Sequence, residues 1–234
     1  MSTSDTDLAD GAETDPQSEI RNPKLDDPKW GVPVPKTVDP RFEVPLLSDL
    51  GEPADWDKVY GRKAPLVVEI GCGGGRTIIT MAVAHPEWNC MGIEQAGEYY
   101  KILHERAEKR LLPNFRSCRI DAAYLIRRFF RDASVSQYHI YFPDPWPKKR
   151  HRKRRIFSEE FCADIKRTLK PGGVLNFATD HQEYYTEILP RLQAVLKVEE
   201  HPQPWEDAPE GRTNYEVKYI KEGRPIYRLL GRQQ

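Results

Sequence analysis

The sequence predicts an α/β fold in which a doubly wound, mostly parallel sheet of seven strands carries helices on both faces. Three observations lead to this prediction. Apolar runs of strand length alternate with helical stretches from about Asp55 onward, and the first run passes into a glycine-rich turn. Acidic residues also lie at or soon after the ends of the five internal runs. The alternation is typical of parallel strands, because these need a crossover connection that is usually a helix.

The internal strands are short apolar runs, and helix-breaking residues close several of the helices between them. Pro86, Pro113 and the PGG that begins at Pro171 each stop a helical stretch. In chain order, the predicted elements are LVVEI (66–70) with a helix to about Ala84, CMGIE (90–94) with a helix over Glu98–Leu112, FRSCRID (115–121) with a helix around Tyr124–Phe130, YHIYF (138–142), a helix from the N-cap Ser158 to Lys170, and VLNFATD (174–180) with a helix over about Glu183–Leu196.

Two further β-rich segments close the chain. YEVKYI (215–220) and PIYRLL (225–230) are separated by KEGR, a spacing that suits a turn. These segments predict that the last strands form a terminal β-hairpin, which completes the seven strands.

Charge divides the chain into two parts. Residues 1–60 carry 6 Lys and Arg against 14 Asp and Glu, a net charge of −8, so residues 61–234 carry +8. Eight of the 20 prolines also lie in the first 60 residues. We therefore predict an acidic, proline-rich extension over 1–54, largely disordered or loosely packed, and a folded domain over 55–234. The basic body favours a nucleic-acid partner.

Several classes of protein are excluded by the composition. No run approaches the roughly 20 apolar residues that a membrane-spanning helix needs, and the first residues lack the pattern of a signal peptide. We expect a cytoplasmic protein with no membrane contact. The four cysteines show no paired or ligand-like spacing, and neither do the histidines, so we expect reduced thiols and no metal site.

The turn after the first strand reads EIGCGGG, with Gly71, Gly73 and Gly75 at alternate positions. Glycines at these positions allow a tight turn and a close approach of the backbone to a ligand. A dinucleotide fingerprint, GxGxxG, needs a third glycine at position 76, where Arg76 stands. The pattern GxGxG therefore favours S-adenosylmethionine over NAD as the cofactor.

Carboxylates near the strand ends are the sharpest pattern in the sequence. They are Glu69, Glu94, Asp121, Asp144 and Asp180. In a parallel sheet they gather along one edge, where ligands bind and where unpaired charges repel.

Three of these acids are predicted to serve the cofactor. Glu94 ends the second strand, where a carboxylate can accept hydrogen bonds from both ribose hydroxyls. Asp121 can accept from the adenine amino group while Ala122 supplies a backbone donor. Glu69 is expected to orient the glycine loop or to lie near the sulfonium and amino groups.

With the run YFPDPWPKKRHRKRR as its most specific motif, the chain resembles the bacterial tRNA (guanine-N7)-methyltransferases. The resemblance covers about residues 55–231 and includes DWDKVYGRKAPLVVEIGCGGG, GIE, RIDA, LKPGG, TDH and TNYE. It implies the class I methyltransferase fold and transfer of a methyl group from S-adenosylmethionine to N7 of the variable-loop guanosine, position 46, of tRNA. Asn214 departs from the family, which usually has Arg or Lys there.

Attack by guanine N7 needs no general base, because the atom already carries an exposed lone pair. Asp144, in a turn bracketed by prolines, is our candidate catalytic residue and the acid nearest the reacting groups; it also counts among the cofactor-binding residues. Asp180 and Glu216 are candidates to accept from guanine N1–H and the exocyclic amine, and Thr213 is a candidate hydroxyl contact. Lys148 is the cation expected to reach the target nucleotide.

The run KKRHRKRR directly after this turn has seven Lys and Arg in eight residues. We expect it to form a phosphate-binding platform for tRNA, with affinity that falls as salt rises. Its predicted RNA-binding members are Arg150, His151, Arg152, Lys153, Arg154 and Arg155.

Two other readings remain open. The PDPW turn also resembles the acid-Pro-Pro-aromatic turns that hold an amine, so the target can be another base, such as an adenine in nucleic acid. A catalytically inactive RNA-binding relative is the second alternative, and retention of the four acids from Glu94 to Asp180 argues against it. The chain is expected to act as a monomer or a homodimer.

Overall fold

Strands and helices alternate along the computed structural model, which describes residues 47–201, 203–208 and 210–234. The strands are β1 (Leu66–Ile70), β2 (Asn89–Ile93), β3 (Phe115–Cys118), β4 (Val135–Tyr141), β5 (Leu169–Thr179), β6 (Lys197–Glu200) and β7 (Tyr227–Arg232). The helices are α1 (Leu47–Leu50), α2 (Trp56–Tyr60), α3 (Arg76–Ala84), α4 (Gly97–Glu108), α5 (Ala122–Phe129), α6 (Glu159–Thr168), α7 (Gln182–Gln193) and α8 (Asn214–Lys221), with a 3-10 helix over Lys149–Arg154.

The seven strands form one sheet in the order β3-β2-β1-β4-β5-β7-β6. The first five of these strands are parallel, and β7 runs antiparallel between β5 and β6. This confirms the predicted doubly wound sheet. The strand order reverses between β1 and β4, which opens a crevice at the carboxyl ends of these two strands.

The last two strands pair antiparallel, as predicted, but one of them comes from a different segment. Residues 215–220, expected to be a strand, lie in α8. The partner of β7 is instead β6, with Lys197 opposite Arg232. Thr213 caps α8, because its hydroxyl accepts a hydrogen bond from the Glu216 amide at 3.0 Å. This cap starts a helix at the point where alternation of side chains suggested a strand.

Apolar side chains cover both faces of the sheet, as the predicted helices on both faces require. On one face, α3 and α4 bury Ile78 and Leu103 against Val67 of β1. On the other face, α5, α6 and α7 pack against alternate strand residues such as Val68. The alternation along β1 follows from the pleat, which points successive side chains to opposite faces. All four cysteines are buried free thiols.

Most of the predicted extension, residues 1–46, lies outside the described residues. Just before residue 55, the Ala54 amide donates to the Phe129 carbonyl at 2.9 Å, and Glu52 forms an ion pair with Arg128. These contacts fasten residues 52–54 to α5. The division at residue 55 stays a prediction. Within the part of the chain that the structure describes, no helix is long and apolar enough to cross a membrane.

Gly75→Ala is expected to lower the free energy of unfolding by about 2–4 kcal/mol. Gly75 has φ +75°, and an added Cβ would lie 2.2 Å from Cδ1 of Leu103, which is fully buried. Gly61→Ala is the matched control, because Gly61 has φ +69° with nothing within 4 Å. Only the backbone cost, about 1 kcal/mol, is expected there. Urea unfolding measures both values, and equal losses would show that the contact with Leu103 is unimportant.

Candidate active site

The ends of the central parallel strands are level. Ile70 of β1 lies opposite Ile93 of β2 and Ile140 of β4, and Tyr141 lies opposite Ala178 of β5. The residues that follow these strands therefore emerge along one edge of the sheet. This edge carries the glycine loop, Glu94, the Asp144 turn and Asp180, as the sequence predicted.

The glycine loop borders open space at two of its three predicted glycines. Gly71, Gly73 and Gly75 have φ values of +67°, +53° and +75°, which other residues rarely adopt. An added Cβ at Gly71 or Gly73 would meet nothing within 4 Å. The space beside the loop fits a ligand that approaches the backbone closely.

Glu94 anchors this loop from the neighbouring strand. Its Oε2 accepts a hydrogen bond from the Gly73 amide at 2.7 Å, and its Oε1 accepts from the Ala96 amide at 2.8 Å. Each carboxylate oxygen has further lone pairs for a ligand. The two amides fix the orientation of the carboxylate next to the open space.

Glu69 lies beneath the loop and not beside the open space. The side chain is buried in β1, and its Oε2 accepts from the Ile78 amide of α3 at 2.9 Å. Burial raises its pKa to about 8, against the opposing effect of the Ile78 amide and the Thr77 hydroxyl. This geometry favours the predicted orienting role, because the bond joins β1 to α3 across the loop. Direct contact with a cofactor stays a prediction.

Asp121 caps α5 and lies beyond the end of β3. The strand ends at Cys118, three residues earlier than expected. The Oδ1 of Asp121 accepts from the Tyr124 amide at 2.8 Å, and Ala122 is the first helical residue. The predicted adenine contacts of both residues stay predictions.

The turn that carries Asp144 has an unusual backbone at both ends. Phe142 has φ +48° and Trp146 has φ +40°, in a region that large side chains rarely occupy. Asp144 itself is exposed between them. Arg154 lies over the Trp146 ring at 4.9 Å, and His151 meets it edge-on at 5.8 Å.

Arg155 corrects one predicted RNA contact. Its side chain is 1% exposed, its Nε donates to the Pro145 carbonyl at 2.7 Å, and it forms ion pairs with Glu187 and Glu183 of α7. The guanidinium also lies over the Tyr184 ring. A buried and paired cation cannot serve as a surface phosphate contact, so Arg155 instead holds the Asp144 turn.

The rest of the basic run divides into exposed and engaged cations. Lys148, Lys149, Arg150 and Lys153 are exposed. Arg152 forms an ion pair with Glu183, and both partners stay partly exposed. Phosphate contacts remain predictions for these residues and for His151 and Arg154. The exposed set lies directly after the Asp144 turn.

Glu216 is also placed differently from its predicted role. Its side chain has no exposed surface; Oε1 accepts from Arg228 Nε at 2.7 Å, and Oε2 accepts from the Arg212 amide at 2.8 Å. Direct contact with guanine is therefore not supported by the geometry, and Glu216 acts as a brace for the loop before α8. Asp180 is partly exposed and paired with Arg224 at 2.6 Å. The Thr213 hydroxyl caps α8, and its substrate contact stays a prediction.

Arg212 is a site residue that the sequence analysis missed. Its Nη1 donates to the Tyr141 hydroxyl at 2.7 Å, Nη2 lies 2.6 Å from Asp207, and its carbonyl accepts from Thr77 at 2.9 Å. Asn214, the residue after Thr213, accepts a hydrogen bond from Arg76 at 3.0 Å. These contacts fasten the start of α8 to α3, and no spacing in the sequence signals them.

Glu69→Gln is expected to flatten the dependence of stability on pH. The pKa of Glu69 is raised from 4.5 to about 8, so between these values the folded chain holds a proton that the unfolded chain has lost. The free energy of unfolding should therefore fall as pH rises through this window in the native chain relative to the variant. Urea unfolding of both chains across the window measures this, and parallel curves would contradict it.

Comparison with known proteins identifies the family. A family model described as "Putative methyltransferase" matches residues 63–229. The tRNA (guanine-N(7)-)-methyltransferase of Alkalilimnicola ehrlichii is 35% identical over 79% of this chain and 79% of its own length. That of Nitrosomonas europaea is 39% identical over 76% of this chain and 73% of its own.

Solved structures show the same fold at low identity. The 16S rRNA methyltransferase KamB has a TM-score of 0.58 at 14% identity, covering 76% of this chain and 92% of its own. A mutant of the 16S rRNA (adenine(1408)-N(1))-methyltransferase from Catenulisporales acidiphilia, with its cosubstrate SAM, has a TM-score of 0.51 at 17% identity, covering 76% and 89%. By the sheet order, the family model and these relatives, the chain belongs to the tRNA (guanine-N7)-methyltransferase family and has the fold of S-adenosylmethionine-dependent methyltransferases.

Proposed function

We propose that this chain transfers the methyl group of S-adenosylmethionine to N7 of a guanosine in tRNA, and that this guanosine is position 46 of the variable loop. The observation that carries the proposal is the place of Asp144. Its turn lies at the crevice between β1 and β4, with the glycine loop on one side and the exposed cations of residues 148–153 following it. The named relatives support the reaction and the substrate.

The residues around the glycine loop suit the cofactor. The loop backbone at Gly71 and Gly73 borders the open space, so it can lie against the methionine part. Two amides fix the orientation of Glu94, which would accept hydrogen bonds from the ribose hydroxyls. Asp121 and Ala122, at the start of α5, would contact adenine. Among the described residues, no group of three or more acidic, His or Cys side chains is arranged to hold a metal ion.

S-adenosylmethionine supplies an electrophilic methyl group: guanine N7 donates its lone pair to the methyl carbon, and the carbon–sulfur bond breaks with its electron pair staying on sulfur. The positive charge thereby moves to the purine, and N7 needs no base. The protein's main task is to hold the reacting atoms in line, which can lower the barrier by about 7–11 kcal/mol.

Asp144 is proposed to stabilise the positive charge near the reacting atoms. A carboxylate that is fixed in place before the reaction is worth more than one that must reorganise. Arg155 fixes this turn through the Pro145 carbonyl, and the unusual backbone at Phe142 and Trp146 restricts it further. Lys148, two residues after Trp146 and exposed, is proposed to contact the target nucleotide.

The identity of the methylated nucleoside tests the proposed function. Labelled S-adenosylmethionine is incubated with the chain and unmodified tRNA, and the RNA is digested to nucleosides. We expect the label in 7-methylguanosine, and loss of the label in a tRNA with guanosine 46 replaced by adenosine. Label in N6-methyladenosine would support the alternative target base, and no label together with no cofactor binding by calorimetry would support an inactive RNA-binding protein.

Asp144→Ala is expected to lower turnover by about 100-fold or more, as loss of a charge-stabilising group does at other active sites. Binding of tRNA should change by less than about threefold, because the exposed cations supply most of it. Single-turnover methyl transfer and filter binding measure the two quantities. Asp132→Ala is the control. Asp132 is exposed, pairs with Arg167 of α6 and lies just before β4, at the opposite edge of the sheet from Asp144. Near-normal turnover of the Asp144 variant would remove it from the mechanism.

Alanine at Lys149, Arg150 and Lys153 together is expected to weaken tRNA binding and to reduce its salt dependence. Each lost phosphate contact should lower the slope of log affinity against log salt by about 0.7–0.9. The control replaces Lys58, Lys109 and Arg110, which are exposed cations at the opposite edge of the sheet. Binding titrations at several salt concentrations measure the slopes, and the same change in both triple variants would mean that the effect is non-specific.

A further inference from the structure

An aromatic platform lies beside the Asp144 turn. It consists of Phe142, Tyr215 and Tyr219, whose ring centroids lie 5.5–6.2 Å apart. Phe142 directly follows β4 and precedes Asp144 by two residues, whereas the two tyrosines lie one turn apart on α8. Tyr215 is 54% exposed. The platform therefore offers ring surface to solvent within the crevice region.

Two observations place this surface close to the acids of the site. Burial raises the pKa of Tyr215, and the nearby charge of Asp144 adds to the shift. Tyr219 is joined to Asp180 through Arg224, which contacts both.

Arg224 fills the space between the platform and Asp180. Its Cζ lies 4.0 Å from the centre of the Tyr219 ring, and its Nη2 lies 2.6 Å from Asp180 Oδ2. The guanidinium is thus a planar cation that covers an aromatic ring while it donates N–H to a carboxylate. It remains 44% exposed, so no packed core holds it there.

We propose that Tyr219 is the stacking surface for the target guanine, and that Arg224 covers this surface until the base displaces it. The proposal rests on the proposed function and names the place of its substrate. Guanine shares two properties with this guanidinium before the reaction, because it is planar and donates N–H groups from one edge. It gains the third property, a positive charge, when N7 becomes methylated. The ring of Tyr219 and the carboxylate of Asp180 already bind these properties in Arg224.

A stacking surface is also needed for a physical reason. A base within folded RNA must leave its neighbours before an enzyme can reach its N7, and it loses their stacking when it does so. An aromatic side chain replaces that stacking, and its removal typically weakens binding of the base by about 5- to 150-fold. Exchange of the guanidinium for the base keeps an N–H donor opposite Asp180 in both states.

Replacement of the ring tests the stacking surface. Tyr219→Leu is expected to lower kcat/KM for unmodified tRNA by about tenfold or more, whereas Tyr219→Phe, which keeps the ring, should stay within about twofold. Trp88→Leu is the control, because it removes a ring stacked on His85 just before β2, at the opposite edge of the sheet. Unfolding curves identify any variant that loses activity through instability. The proposal would be overturned if Tyr219→Leu left kcat/KM unchanged, or if Tyr219→Phe lowered kcat/KM as much as Tyr219→Leu.

The proposed covering of the Tyr219 ring by Arg224 is tested with 7-methylguanosine 5′-monophosphate as the probe. Arg224→Gln removes the competing cation and leaves Asp180 and Tyr219 free, so we expect this variant to bind the probe several-fold more tightly than the native chain. The gain should disappear in the Tyr219→Leu background. Calorimetry measures the affinities. Equal or weaker binding of the probe by Arg224→Gln, including no detectable binding by either chain, would contradict the proposal that Arg224 covers the Tyr219 ring.

Failure of the proposed function is distinguishable from failure of this proposal. Label in a nucleoside other than 7-methylguanosine, with activity still sensitive to Tyr219→Leu, rejects the function and keeps the stacking surface for a different base. Label in 7-methylguanosine with activity insensitive to Tyr219→Leu rejects only the stacking surface.

Discussion

Level strand ends impose one electrostatic constraint on this protein: several carboxylates must share one edge of the sheet without repelling each other. The structure meets this constraint with partners or burial for four of the five acids, and the fifth, Asp144, is exposed to solvent. Glu94 accepts two backbone amides, Asp121 accepts one at the start of a helix, and Asp180 is paired with Arg224. Glu69 is buried, and the resulting rise in its pKa favours the uncharged form. Because every one of these partners is in place within the chain itself, the edge is organised before any ligand arrives.

The sequence was sufficient for the parallel part of the fold because local pattern and global topology agree there. The apolar runs around Val67 and Ile140 are strands, and the glycines at 71, 73 and 75 adopt the backbone that only glycine adopts readily. The prediction from sequence was wrong at residues 215–220, where alternating side chains suggested a strand and the structure has α8. Thr213 and Glu216 have the spacing of a helix-capping box, and that signal was present but was outweighed by the alternation.

The roles of individual charges were harder to predict than their positions. The run from Lys148 to Arg155 looks uniform in sequence, yet its last member is buried because Glu187 and Tyr184 of a distant helix surround it. Glu216 matched a family motif but faces Arg228, which lies on a strand of the sheet. Both cases depend on contacts between segments that are far apart in the chain. No local pattern contains that information.

The contacts between α3 and α8 give the two halves of the site a common mechanical element. Thr77 and Arg76 at the start of α3 bond to Arg212 and Asn214 at the start of α8. These bonds join the segment that follows the glycine loop to the segment that begins α8. If filling of one proposed subsite shifted α8, the affinity of the other would change, and thermodynamic reciprocity would require the same factor in both directions. Such coupling would run through two hydrogen bonds, formed by the side chains of Arg76, Asn214 and Thr77 and by the backbone carbonyl of Arg212.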